Sequence, residues 1–116
     1  MANESCLFCR IVAGDIPAEV VHQDERCIVI RDLNPQAPMH VLVIPREHIE
    51  SLDEVSQKDE PLLGHLQRVA ARVADAEGHG ENGYRTVINT GAGAGQSVFH
   101  LHVHVLGGRA MNWPPG

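Results

Sequence analysis

Residues 96–106 read Gln-Ser-Val-Phe-His-Leu-His-Val-His-Val-Leu, with His100, His102 and His104 separated by single apolar residues. In an extended strand, side chains two apart share one face. The alternation predicts a strand over 99–106, with three imidazoles on one surface and Leu101, Val103 and Val105 packed behind it. On a straight strand His100 and His104 would stand about 13 Å apart, at a rise of roughly 3.3 Å per residue. One metal ion cannot easily take all three rings. The spacing favours divided labour, with one His as ligand, one as nucleophile and one as donor. A neutral imidazole attacks phosphorus well when its other ring nitrogen is held by an acceptor. The alternative is an exposed face that is merely His-rich.

Working outward, four further strands are expected. Val20-Val21-His22 and Cys27-Ile28-Val29-Ile30 are β-rich, with Gln23-Asp24-Glu25-Arg26 as a hairpin connection. His40 to Ile44 forms a third strand that Pro45 should end, because proline cannot donate to a ladder. Tyr84 to Asn89 is the fourth. One long helix is predicted from about Asp59 to Glu77: Asp59 caps it, Pro61 suits its first turn and Gly78 stops it. Leu62, Leu63, Leu66, Val69, Ala70 and Val73 recur along it at helical spacing. Cys6-Leu7-Phe8-Cys9 opens the chain on a turn or short helix running to about Val12. Short links between strands argue for a five-stranded antiparallel sheet with a helix on one face, an α+β fold. Residues 1–116 read as one domain, with 109–116 an extended Pro-rich tail.

The 116 residues include 43% hydrophobic ones and carry a formal net charge of −6. That charge argues against a nucleic-acid surface, which usually shows a basic stripe. No apolar run reaches bilayer length, and Met1 to Ser5 lack the basic and apolar regions of a leader. A cytoplasmic enzyme without membrane attachment fits these features. Three Cys in that compartment suggest metal ligands or reduced thiols. Cys6 and Cys9 have the gap that suits zinc, with His48 and His100 as the further ligands to choose. A redox pair is the rival, though no βαβ context surrounds it. Cys27 reads as core. His65, His22 and His79 receive no role.

The approach to the His row, Asn89-Thr90-Gly91-Ala92-Gly93-Ala94-Gly95-Gln96-Ser97, is rich in small residues whose N–H groups can form an anion nest. A strand rather than a helix follows it, and it lacks the Gly-Lys-Ser/Thr ending of a P-loop. Ser97 and Gln96 could supply hydroxyl and amide hydrogen bonds to a phosphoryl group or a leaving group.

His100-Leu101-His102-Val103-His104-Val105-Leu106 resembles the signature of the histidine triad (HIT) superfamily. Asp15 to Ala18, Asp32 to Pro38, His40 to Pro45, Gly107-Gly108-Arg109 and Trp113-Pro114-Pro115-Gly116 are similar to its Hint branch. The resemblance implies a homodimer with one continuous ten-stranded sheet and a purine nucleotide pocket on each subunit. It also implies adenosine 5′-monophosphoramidase-type cleavage of a P–N bond between AMP and an amine such as lysine. His102 would be the nucleophile and form an adenylyl-histidine, with His104 and Ser97 helping the amine leave. Gly95, Gln96 and Ser97 would hold phosphate oxygens with Asn89 beside them. Asp32 would accept from ribose hydroxyls, Leu33 would lie against the base, and His40 would support the catalytic imidazole. Cys6, Cys9, His48 and His100 would bind a structural Zn2+, which the chemistry itself does not require. Trp113 would reach toward the partner's site. Alternatives are a nucleotide-binding interaction module with little turnover, a metal-dependent hydrolase using the His row, and a dinucleoside polyphosphate hydrolase.

Overall fold

The computed structural model describes residues 4–116, so Met1 to Asn3 of the segment read for a leader lie outside the described residues. Its elements run α1 (Leu7–Val12), β1 (Val20–Gln23), β2 (Cys27–Arg31), β3 (Met39–Pro45), α2 (Glu60–Ala76), β4 (Tyr84–Val87) and β5 (Val103–Gly107), with single 3-10 turns between some of them. The five strands form one sheet in the order β1-β2-β3-β5-β4, every neighbour antiparallel. The predicted α+β architecture, with one long helix and a short N-terminal one, is what the chain adopts. No helix among the described residues is long and apolar enough to cross a membrane.

β3 lies at the centre and is buried along its whole length, which suits the near-continuous apolar run from Val41 to Ile44. Alternation then divides the core. Val41, Val43, Leu101, Val103 and Val105 face α2, which buries Leu66, Val69, Ala70, Val73 and Ala74 against them. Ile28, Ile30, Leu42 and Ile44 face the other way and pack with Phe8 of α1. Each apolar side chain of this kind removed from water contributes roughly 1.5–3 kcal/mol before chain entropy is set against it. The face opposite α2 is where His102 and His104 stand.

Four local expectations are corrected. Asp59 does not cap α2: its carboxylate accepts from the Ser56 N–H at 3.0 Å, closing the 3-10 turn Gln57–Asp59 that leads into the helix. The capping chemistry is real but sits one turn upstream, since the chain is already turning before Glu60. Pro45 does not end β3 toward β2, where it still pairs with Cys27. It does end the pairing toward β5. The β3–β5 ladder runs from Met39↔Gly107 to Val43↔Val103, so β5 begins at Val103 and not at Phe99. Opposite residue 101 the ladder would need an N–H that Pro45 lacks. His100 therefore lies in a bend ahead of the strand, although Leu101 still turns into the α2-side core. β4 likewise stops at Val87, short of Asn89.

Candidate active site

Two imidazoles stand where β5 begins, and each has its tautomer dictated by a group that can act in only one way. A carbonyl only accepts, so the 2.7 Å contact between His102 Nδ1 and the His100 carbonyl places a proton on Nδ1. His102 Nε2 is left with a lone pair. A backbone N–H only donates, so the Gln36 N–H at 3.0 Å requires a lone pair on His40 Nδ1. Neutral His40 then carries its proton on Nε2 and gives it to His104 Nδ1 at 2.9 Å. His104 in turn holds its proton on Nε2. The chain thus presents one bare nitrogen and one N–H donor side by side, their ring centroids 5.1 Å apart. That is the pairing a nucleophile and a hydrogen-bond donor to a phosphoryl group require.

Burial keeps these rings neutral. His102 is lowered from the usual imidazole range mainly by burial, with the His100 carbonyl and Asp32 opposing. His104 is pushed down to about 4 by burial, reinforced by the neighbouring His102 and His40 and opposed by Asp32. His40 is lowered by burial, which the Asp32 carboxylate 3.4 Å from its Nε2 opposes. A His whose folded value lies below its free value of 6.5 takes up protons more readily when unfolded, so it contributes stability above 6.5 that is lost as pH falls. Thermal scans should therefore show Tm falling between pH 6.5 and about 5, above the range where carboxylates titrate. His104→Gln should flatten that slope, and an unchanged slope would contradict the buried neutral assignment.

His102 and His104 open into a cavity of about 370 Å³ that also brings together Asp32, Leu33, Asn89, Gly95 and Ser97. Its apolar wall comes from Phe8, Ile11, Ile16, Ala18, Ile30 and Leu42. Leu33 is 99% exposed on the rim, so it is free to lie against a planar ligand. Asp32 keeps one oxygen on the Asn34 N–H at 2.8 Å, the other being the one near His40. His40 and Gln96 do not line the cavity. His40 stands behind His104, as support for that ring and not directly for His102.

The glycine-rich loop is spent largely on itself. Gln96 is buried, and its amide bonds the Gly91 N–H and the Glu50 and Val98 carbonyls. The N–H groups of Gly95 and Gln96 donate to the Ala92 and Gly91 carbonyls, and Asn89 Nδ2 donates to the Ala94 carbonyl at 2.8 Å. The N–H groups expected to hold phosphate oxygens at Gly95 and Gln96 are here engaged in closing the loop. Ser97, exposed at the mouth, and Asn89 are the loop's polar side chains at the cavity. Gly91 and Gly95 hold φ of +86° and +89°, which a side chain would strain.

The first triad residue has a different environment. His100 is wholly buried and its Nε2–H donates to the Pro45 carbonyl at 2.8 Å, which leaves Nδ1 bare. That nitrogen lies 3.3 Å from Cys6 Sγ, 3.5 Å from Cys9 Sγ and 3.2 Å from His48 Nδ1, and Cys9 Sγ lies 3.2 Å from His48 Nδ1. A tetrahedral zinc ion with nitrogen and sulfur ligands has edges of about 3.3 to 3.8 Å. The donor types and spacings fit zinc. Burial pushes His100 down to about 4, so the ring is neutral and available as a ligand. Phe8, between the two Cys on α1, sets its edge against His102 with centroids 5.0 Å apart. Neither Phe8 nor Gln36 is singled out by the sequence. Helical spacing could have found Phe8, but a backbone N–H such as that of Gln36 carries no residue-type signal.

The family profile described as "Scavenger mRNA decapping enzyme C-term binding" matches residues 5–113. An uncharacterized HIT-like protein of Synechococcus elongatus is 49% identical over 98% of this chain and 99% of its own length. The crystal structure of a HIT family hydrolase from Legionella pneumophila superposes with a TM-score of 0.94 at 50% identity, covering 96% of this chain and 99% of that one. A histidine triad protein from Clostridium difficile gives 0.93 at 38% identity, covering 97% of each chain. On sequence and fold alike, the chain belongs to the histidine triad family.

Proposed function

We propose that the protein is a purine nucleoside phosphoramidase of the Hint branch, hydrolysing the P–N bond of AMP-amine substrates through a nucleotidyl-histidine. The reading is supported above all by the fixed tautomers, with a bare nitrogen on His102 beside an N–H on His104. His102 Nε2 attacks the α-phosphorus, a P–N(His) bond forms and the bond to the amine breaks. His104 Nε2–H stabilises a phosphoryl oxygen or the leaving nitrogen. The amine departs with a proton that solvent relays through the exposed Ser97 hydroxyl. Water then attacks phosphorus, loses a proton to solvent, and AMP leaves with His102 restored. The apolar wall and Leu33 receive the base, and Asp32 accepts from the ribose.

In the same reading Cys6, Cys9, His48 and His100 hold a structural Zn2+ that fixes α1, and with it Phe8, against the site. The chain forms a homodimer by joining sheets into ten strands. In support, β4 ends the sheet with one side unpaired among the described residues, and Tyr84 on it is 37% exposed. Arg85 holds the Asn112 carbonyl at 2.9 Å and leaves Trp113 82% exposed, placed to meet a partner.

Steady-state assays with an AMP–lysine phosphoramidate and a dinucleoside polyphosphate test the substrate class. The expected result is a kcat/KM at least about 100-fold higher for the phosphoramidate, a difference near 2.7 kcal/mol in transition-state stabilisation. The reverse order would assign the site to polyphosphates. Binding of AMP without turnover of either would reduce it to a binding module.

A further inference from the structure

Asp24, Cys27 and His65 come together from distant parts of the chain and have no part in the chemistry above. Their Oδ, Sγ and imidazole nitrogen atoms all lie within 4.8 Å of one another. Asp24 sits in the β1–β2 connection, Cys27 opens β2, and His65 lies on α2. Oδ1 of Asp24 is occupied by the N–H groups of Arg26 and Cys27 at 2.8 and 2.9 Å. Oδ2 faces the other groups: His65 Nε2 at 2.8 Å, His22 Nε2 at 3.3 Å and Cys27 Sγ at 3.7 Å.

We infer that Asp24, Cys27 and His65 form a second transition-metal site, suited to Zn2+, with His22 as the fourth ligand from the rim. The donor set is one carboxylate, one thiolate and two imidazoles. Such a mixture selects zinc and its neighbours over magnesium or calcium, which take oxygen alone. Distances from Oδ2 of 2.8 to 3.7 Å bracket the edge of about 3.3 to 3.6 Å for a zinc tetrahedron with these ligands. Asp24, Cys27 and His65 already lie within 4.8 Å of one another, and His22, 3.3 Å from Asp24 Oδ2 on the rim, must swing inward to join them. Asp24 would bind through one oxygen, because the other is fixed by the backbone. Those backbone N–H groups fix the carboxylate's orientation and so aim its free oxygen at the other donors. An entry path exists: a surface depression of about 280 Å³ is lined by Asp24, Glu25, Arg26 and His65. The neighbouring Arg46 is turned to the Asp24 carbonyl and to Gln23 Oε1.

On binding, a metal–sulfur bond forms and the Cys27 thiol proton leaves to solvent. His65 and His22, which donate Nε2–H to the Asp24 carboxylate in the free protein, pass that proton to solvent, hold one on Nδ1 and give the Nε2 lone pairs to the metal. No oxidant or other reactant is needed. The ion would tie the β1–β2 hairpin to α2, reinforcing a link that the His65–Asp24 contact at 2.8 Å already makes. The site is independent of the four-donor cluster, for Cys27 belongs to the core beneath α2, whereas Cys6 packs on the opposite face.

Co2+ titration separates the sites when run on a Cys6→Ser/Cys9→Ser protein, which lacks both thiols of the other cluster. The expected result is a thiolate-to-cobalt charge-transfer band that saturates at one ion per chain. Affinity should fall by about 100-fold or more in the same background carrying His65→Ala. Absence of the band, or a band indifferent to His65→Ala, would overturn the inference. Should the double variant not fold, native mass spectrometry of zinc-loaded wild type and His65→Ala decides. One ion fewer per chain in the variant supports the site, and equal counts overturn it.

Discussion

His102→Ala should abolish turnover of an AMP phosphoramidate, lowering kcat by on the order of 10⁴-fold or more. Its Kd for AMP should stay within about tenfold of wild type. The split follows from where the ring stands. In the proposed reaction His102 Nε2 supplies the electron pair for the first bond, and among the described residues no other side chain lining the cavity carries a bare nitrogen. His104 holds a proton on the corresponding atom. His40 stands behind it with Nδ1 closed by the Gln36 N–H at 3.0 Å. Nucleotide affinity draws instead on the apolar wall, Asp32 and Leu33, which the substitution leaves in place. Removing this ring also opens space against Phe8, so the folded state should be verified by its thermal transition. Stopped-flow assays with AMP binding measured in parallel give the test. Hydrolysis that persists at wild-type rate in His102→Ala would remove the nucleophile assignment.

The second large effect concerns stability. If the proposed structural zinc is bound, His48→Ala should cost that ion and lower Tm by about 15 °C. A ligand at 1,000 times its Kd stabilises by about 4 kcal/mol, and 1 kcal/mol moves Tm by about 4 °C in a domain of this size. Measured well below the new Tm, kcat should fall by less than about tenfold. The ion would fix α1 through Cys6 and Cys9 and so hold Phe8 against His102, but its ligand His100 is turned away from the cavity by its bond to Pro45. Metal content by mass spectrometry accompanies the melt. A zinc-free wild type, or a melt unmoved by His48→Ala, would remove the structural ion. Loss of all activity with the fold intact would point to metal-dependent hydrolysis.

Much of this was legible in the chain. Alternation at Leu101, Val103 and Val105 gave the core face of β5, and the apolar positions of α2 did the same for the helix. The triad spacing suggests the division of roles proposed above, and the Cys6–Cys9 gap points to the cluster that His48 and His100 complete in space. Other features escaped because they depend on the backbone. That Pro45 cannot donate stops the β3–β5 ladder at Val103 and frees His100 to turn aside. The Gln36 N–H decides which nitrogen of His104 is protonated. Gln96 resembles a ligand contact by residue type, yet its amide is used to close the loop. In sequence His65 reads as an ordinary helix residue, whereas the fold sets it 2.8 Å from Asp24, forty-one positions away. Sequence pattern reports faces and periods well, whereas it is silent on single hydrogen bonds between distant segments.

The proposed chemistry turns on a bond forming between His102 and phosphorus. The most direct measurement is rapid acid-free quenching of a labelled adenosine phosphoramidate reaction, followed by peptide mapping. The predicted result is an adenylyl group on the peptide containing His102, absent from His102→Ala. Label on another residue, or AMP formed in a burst with no labelled peptide at any time, would contradict it.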